Sequence, residues 1–358
     1  MAVYNVNGVQ LSQVYNVNGD LLSYAYDVDG NEILHGSTPV QPMDWSNIPT
    51  QYRTNIASAM SYANTYLNSH SNAFMFPVLT DVHDHFYNEP NYLLYNYPNK
   101  FDKFLFLGDI ANAYSSTQLT NATDYMEQAE SVNVLSLVGN HELGGWAEGD
   151  PVPKTWYQTL LPSSAVVMAG DTLTYYFDDS VNNIRWICMD SCTPIYKSAG
   201  TQLFTMAELE FCASAMESAG NKDIIILNHT MGGGFYLVTD TEQTTWKSDT
   251  TITNMTTFNS LVNAFINRST ISITVDGVSH SHDFSNMTSD FVGYFTGHYH
   301  EAGFYNGVGF NKFTCPSSYF NNSGMSIFIV DPDAKKIIWL IAYKSLTSIG
   351  TYEYTYGT

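Results

Sequence analysis

Positive charge is scarce in this 358-residue chain: 13 Lys and Arg stand against 34 Asp and Glu, a formal net charge of −21 with His neutral. Such a surface repels phosphate backbones, which excludes a general nucleic-acid binder. Charged residues of either sign make up only 13% of the chain, about half the usual share. Asn, Ser, Thr and Tyr supply the polar surface instead. Cysteine is also sparse. Cys188, Cys192, Cys212 and Cys315 form no CxxC pair, so buried free thiols are expected rather than a disulfide framework or a zinc site. No run of about 18 apolar residues occurs, and no membrane span is expected. The opening Met1-Ala2-Val3-Tyr4-Asn5 has neither a basic nor an apolar stretch, so no secretory signal is expected. Hydrophobic residues at 44% are ample for a core, and wholesale disorder is excluded.

What is present begins with a repeat. Val3-Tyr4-Asn5-Val6-Asn7-Gly8 recurs as Val14-Tyr15-Asn16-Val17-Asn18-Gly19 and as Ala25-Tyr26-Asp27-Val28-Asp29-Gly30. Each unit is a short β-forming run closed by Asn-Gly or Asp-Gly, a strong hairpin signal. Residues 1–38 therefore read as a small β-repeat arm suited to self-association or surface attachment, since three short strands bury little alone. Residues 39–70 read as a linker and a helix, residues 71–345 as an α/β domain, and residues 346–358 as a C-terminal tail.

Within the α/β domain, chemistry-bearing residues follow one predicted strand after another. Strand 73–79 runs into Asp81-Val82-His83, strand 104–107 into Gly108-Asp109, and strand 134–138 into Gly139-Asn140-His141-Glu142. Strand 224–227 runs into His229, and strand 291–295 into Gly297-His298-Tyr299-His300. Strand ends are where an α/β sheet places its site. Asp81, His83, Asp109, Asn140, His229, His298 and His300 supply seven oxygen and nitrogen donors. That exceeds the need of one tetrahedral zinc and suits two adjacent ions sharing a carboxylate.

The blocks DxH, GD, GNH(D/E), H and GHxH, in this order from Asp81 to His300, resemble the signature of the calcineurin-like metallophosphoesterase superfamily. The resemblance covers roughly residues 73–345. It implies a four-layer α/β/β/α sandwich of two mixed sheets, to which the N-terminal β-repeat arm is appended. It also implies that Asp81, His83 and His300 hold one metal, that Asn140, His229 and His298 hold another, and that Asp109 bridges them. His141 would bind the phosphoryl group or protonate the leaving oxygen. The implied activity is phosphoric ester hydrolysis by a metal-bridging hydroxide. Two divalent or mixed-valence ions are implied, and the donor set admits manganese, iron, zinc or nickel. The substrate would be a phosphate ester, either a small molecule or a surface polymer.

Departures from subfamily patterns narrow this expectation. Asn112 follows Gly108-Asp109 where the protein Ser/Thr phosphatases carry Asp and Arg, and where purple acid phosphatases carry a Tyr ligand. The GDxxN and GNHE forms are similar to phosphodiesterase-type members, in which the Asn side chain orients the catalytic His. Only Arg53, Arg185 and Arg268 exist to clamp a phosphate dianion. Phosphodiester hydrolysis is thus expected, with small-molecule phosphomonoester hydrolysis as the alternative. A virion or cell-surface attachment protein using the fold as a scaffold is the alternative from another class. No Pro follows His229, so the shape of Thr230-Met231-Gly232-Gly233-Gly234 is left open. The Tyr-rich segment 86–101 reads either as ordinary loop packing or as a cap over the cleft that stacks on a substrate, and His280 and His282 read as an exposed hairpin. Asp84 and His85 read either as supports for the ligands or as loop surface.

Overall fold

Uninterrupted runs of β-branched and aromatic residues become strands buried on both faces. The computed structural model describes residues 45–113, 115–143, 161–170, 172–192, 202–238, 243–319 and 324–357. Residues 3–4, 10–11, 24–26, 32–35 and 243–244 are described by backbone alone. The chain divides into two compact units, residues 1–47 and 48–358.

The first unit contains two antiparallel pairs: β1 (Val3–Tyr4) with β2 (Gln10–Leu11), and β3 (Tyr24–Tyr26) with β4 (Glu32–His35). The first and third repeats thus each begin a hairpin. The middle repeat and residues 39–44 lie outside the described residues.

The second unit is built on two mixed sheets. In the six-stranded sheet, β5 (Phe74–Leu79), β6 (Lys103–Phe106) and β7 (Asn133–Ser136) run parallel. Strands β21 (Gly324–Asp331), β22 (Lys336–Tyr343) and β23 (Gly350–Thr355) extend it antiparallel beyond β5. Segment 346–358, expected as a tail, therefore contains an edge strand, because its alternating Tyr side chains lie along β22. In the nine-stranded sheet, the centre is β10 (Ile184–Cys188), β12 (Asp223–Leu227) and β18 (Phe291–Thr296), all parallel. Strands β8 (Val166–Val167) and β9 (Tyr175–Asp179) flank one side. Strands β20 (Lys312–Thr314), β19 (Gly303–Tyr305), β13 (Gly234–Val238) and β14 (Gln243–Ser248) flank the other.

Between the sheets Phe76, Trp186, Phe295, Phe313, Phe328 and Trp339 pack into one apolar core. Helix α1 (Thr50–Leu67) covers the outer face of the six-stranded sheet at β21 and β22. Helices α4 (Met206–Glu217) and α5 (Met255–Ile266) close a second core on the outer face of the other sheet. The fold is thus the α/β/β/α sandwich of two mixed sheets. Local signals set the helix starts: Ser115 caps α3 (Ser116–Glu127), and Thr205 with Glu208 forms a capping box on α4.

Two local expectations change. Segment 86–101 is not a plain loop, because Glu89–Asn96 forms helix α2 with Pro90 in its first turn and Tyr92 turned inward. Residues 270–283 do form a hairpin, β16 (Thr270–Val275) with β17 (Val278–Asp283). His282, however, is buried against α4, its two ring nitrogens 2.6 Å from Glu210 and 3.0 Å from Glu217. No described helix is long and apolar enough to cross a membrane.

Candidate metal centre

Every motif block sits at the C-terminal end of one of the parallel strands β5, β6, β7, β12 and β18, so five strand ends from two sheets converge. The connecting loops are cross-braced: the amide N–H of Asp81 donates to the Gly108 carbonyl, that of His83 to the Asp109 carbonyl, and that of Gly297 to the His229 carbonyl. Side chains also tie one sheet to the other. His229 Nδ1 donates to the Leu107 carbonyl at 2.7 Å, and the His298 amide N–H donates to Asp81 Oδ2 at 2.8 Å.

Backbone strain is concentrated here. Asp81, His83, Asp109, His298 and His300 all have φ between 49° and 70°, the left-handed region, which costs a non-glycine residue roughly 1–2 kcal/mol. Five of the seven candidate donors are held this way, and strain of that kind gathers at functional sites. Two glycines make the close approach feasible. A Cβ on Gly139 would stand 2.2 Å from Asp109 Oδ1, and one on Gly297 would stand 1.9 Å from Thr80 Oγ1.

The donor atoms form two groups that share Asp109. Asp81, His83, Asp109 and His300 make one, and Asp109, His229 and His298 make the other, with the atoms of each group within 4.8 Å of one another. In the first, His300 Nε2 lies 3.2 Å from Asp81 Oδ1 and 3.1 Å from His83 Nε2. In the second, His229 Nε2 lies 3.2 Å from each of Asp109 Oδ2, Asn140 Oδ1 and His298 Nδ1. Asp81 Oδ1 and Asp109 Oδ2 are fully buried and accept no hydrogen bond among the described residues. One hydrogen on His229 cannot serve three acceptors, whereas a single cation between the four atoms can. Atoms about 2.0–2.1 Å from a shared ion stand about 2.9–3.4 Å apart at octahedral to tetrahedral angles. The observed spacing fits an ion.

The electrostatics agree. Burial pushes the Asp81 carboxyl up, but the neighbouring His300 outweighs it and brings it to about 2. Burial likewise opposes ionisation of Asp109, and His229 overrides it, holding the carboxyl well below the usual range. In return, although burial disfavours its charge, Asp109 raises His229 to about 10. Burial, and then His229, lowers His298 to about 4. Two ionised carboxylates in a dry site attract positive charge.

His141 stands beside these groups, its ring 4.5 Å from that of His83 and its amide N–H donating to Asp109 Oδ1 at 2.8 Å. Its Nδ1 lies 2.7 Å from the main-chain carbonyl of Asn112. A carbonyl only accepts, so Nδ1 carries the hydrogen and Nε2 is left to exchange a proton. This corrects the expected role of Asn112: its exposed residue meets His141 through the backbone, which any residue would supply.

Glu142 was not singled out in the sequence beyond its place in the GNHE block. Its buried carboxylate accepts the amide N–H groups of Asp109, Ala111 and Gly139 at 2.7–2.9 Å. It thereby locks two motif loops together. Burial and then the Asp109 charge raise it to about 7. His85 Nδ1 donates to the His83 carbonyl at 2.8 Å, and its ring packs 4.0 Å from Tyr319. Asp84 donates its amide N–H to the Ile110 carbonyl, bracing the same loops. None of the arginines enters the site. Arg185 pairs with Asp178, Arg268 meets the Ser289 carbonyl and Asp290, and Arg53 meets Thr50.

The sequence profile of calcineurin-like phosphoesterases matches residues 76–302. No curated protein sequence matches at a significant level. Among solved structures, the chain is similar to the purple acid phosphatase PPD1 of yellow lupin (Lupinus luteus) seeds, at 12% identity and a TM-score of 0.49, over 79% of this chain and 54% of that one. It is similar to GAP50, the anchor in the inner membrane complex of Plasmodium, at 11% identity and a TM-score of 0.43, over 80% of this chain and 89% of that one. The chain thus spans about half the length of the lupin phosphatase.

Proposed function

The chain belongs to the calcineurin-like phosphoesterase family, and from that premise we propose that it is a dinuclear, metal-dependent phosphoric ester hydrolase that prefers phosphodiesters. The observation that carries this reading is the single His229 nitrogen facing three acceptor atoms at 3.2 Å. Asp81, His83 and His300 would hold one divalent ion and Asn140, His229 and His298 the other, with Asp109 available to both donor groups. When bound, such a pair lowers the pKa of a water and neutralises charge on the phosphoryl oxygens.

The remaining work falls to protein groups. His141, with one N–H fixed on the Asn112 carbonyl through Nδ1, presents Nε2 toward the departing oxygen. As the imidazolium it gives its Nε2 proton to that oxygen and is left as the neutral Nδ1–H ring. Without an ion, protonated His300 and His229 keep Asp81 and Asp109 ionised against their burial; a bound cation would displace those protons and take over that role. The diester preference rests on charge. With all three arginines engaged elsewhere, the site lacks the bidentate cation that favours a monoester dianion. Residues 1–38 serve self-association or surface attachment, a reading supported by their forming part of a separate compact unit.

Metal analysis of the purified protein, with rates on an aryl phosphodiester and the matching monoester, tests this. Two divalent ions per chain and a higher kcat/KM for the diester are expected. Protein that takes up no divalent ion would overturn the dinuclear reading. A clear monoester preference would overturn the diester assignment while leaving the metal centre standing.

A further inference from the structure

The ring of His298 has two working edges. Nδ1 faces the second donor group, 3.2 Å from His229 Nε2. On the opposite edge, Nε2 lies 3.0 Å from Thr250 Oγ1 and 3.8 Å from Asp249 Oδ1. The Asp249 side chain is only 1% exposed, and a buried carboxylate costs several kcal/mol unless it is well bonded. Its bonds are specific. Oδ1 accepts the Thr250 amide N–H at 2.7 Å, and Oδ2 accepts the Met231 amide N–H at 3.0 Å. Met231 lies two residues after His229, where the chain runs through Gly232 and Gly233, both at positive φ. The Asp249 amide N–H in turn donates to the Gly233 carbonyl. One carboxylate thus grips the pliable segment after His229 and stands behind the outer edge of His298.

We propose that Thr250 and Asp249 are positioning residues for the second ion: Thr250 Oγ1 takes the Nε2–H of His298, and Asp249 fixes both that threonine and the loop that follows His229. The inference rests on the dinuclear reading above. A neutral imidazole carries one hydrogen. Placing it on Nε2 leaves the Nδ1 lone pair for an ion, so the hydroxyl selects the ligating tautomer. Residues that orient metal-bound histidines in this way are worth roughly 10–100-fold in metal affinity. Asp249 also supplies the stiffness that no proline supplies after His229.

The test is a two-site titration of the chelator-stripped full chain with Zn²⁺ or Mn²⁺ alone. Thr250→Val keeps the shape and removes the hydroxyl, while Thr250→Ser restores it. Asp249→Asn keeps the size and places an amide against an N–H donor. The second ion should bind about 10–100-fold more weakly to Thr250→Val and Asp249→Asn. The first ion should bind unchanged, and Thr250→Ser should return close to wild type. Equal binding of both ions by wild type, Thr250→Val and Asp249→Asn would overturn the proposal. If Thr250→Val does not fold, Asp249→Asn decides in the same titration. Wild type that takes up no ion would sink the dinuclear reading instead. In that case nitrogen NMR of His298 decides: an Nε2–H tautomer lost in Thr250→Val supports the positioning role, and the same tautomer in both proteins refutes it.

Discussion

Replacing Gly139 by Ala tests the geometry of the centre without touching a donor atom. The added Cβ would lie 2.2 Å from Asp109 Oδ1, 2.4 Å from the Asp109 nitrogen and 2.8 Å from its Cγ. Contacts of a real Cβ begin near 3.0 Å, so Asp109 must retreat by 3.0 − 2.2 = 0.8 Å or more. It cannot swing away freely, because Oδ1 holds the His141 amide at 2.8 Å and the Asp109 amide holds Glu142 at 2.9 Å. The shift therefore passes to Oδ2, the atom facing His229. A displacement near 1 Å costs roughly 100-fold when geometry governs a reaction. Overpacking of this kind costs typically 1–3 kcal/mol in stability. We expect Gly139→Ala to fold with a modestly lower Tm, to lose bound metal, and to turn over an aryl phosphodiester at about 1% of the wild-type rate or less. Gly220→Ala is the control: its φ is +68° and nothing lies within 4 Å of the new Cβ. It should lose about 1 kcal/mol to backbone strain and keep its metal. Elemental analysis, thermal melts and steady-state rates read all three quantities. Full metal content and full turnover in Gly139→Ala would refute the inference that Asp109 is a pinned ligand.

Other expectations follow from the same site. Asp109→Asn should lose metal and activity together, because Asp109 alone belongs to both donor groups; undiminished turnover after that change would contradict the shared-ligand assignment. Asn112→Ala should leave turnover nearly unchanged, since the Asn112 carbonyl rather than its side chain meets His141. By contrast, His141→Ala should slow alkyl phosphodiesters by roughly 10²–10⁴-fold and nitrophenyl esters far less; equal losses would assign His141 to phosphoryl binding. Deleting residues 1–38 should leave the rate on a small diester nearly intact, because every candidate ligand lies within the 48–358 unit, while particle size in size-exclusion chromatography should fall.

Much of the candidate site could be read from the chain because its candidate donors are tied to strand ends. A buried strand announces itself as an apolar run, and the residues just past it are fixed in space by the sheet. That logic located Asp81, Asp109, His229 and His298, whose loops the structure does bring together. It failed where a backbone atom does the work. Asn112 attracts attention by its side chain, yet its carbonyl makes the contact, and no residue identity encodes a carbonyl. Glu142 lay in full view within a motif, but two of its three amide partners, Asp109 and Ala111, lie 33 and 31 residues before it, and only the fold shows them meeting.

Asp249 and Thr250 expose the limit more sharply. They lie about fifty residues before His298 and about twenty after His229, beyond a β-hairpin, β13 with β14, that adds two strands to the edge of the nine-stranded sheet. Nothing in Ser248-Asp249-Thr250-Thr251 distinguishes a buried clamp from a polar turn, and in so Thr-rich a chain the turn is the ordinary expectation. What places them is the hairpin: its strands leave the site after Gly234 and return at Ser248, paired with one another. The return delivers Asp249 to the Met231 amide and Thr250 to the His298 ring. A site assembled from strand ends can thus recruit its supports from any excursion that closes on itself. Such supports are found by asking which buried polar atoms face the far edge of each ligand, not by extending the motif.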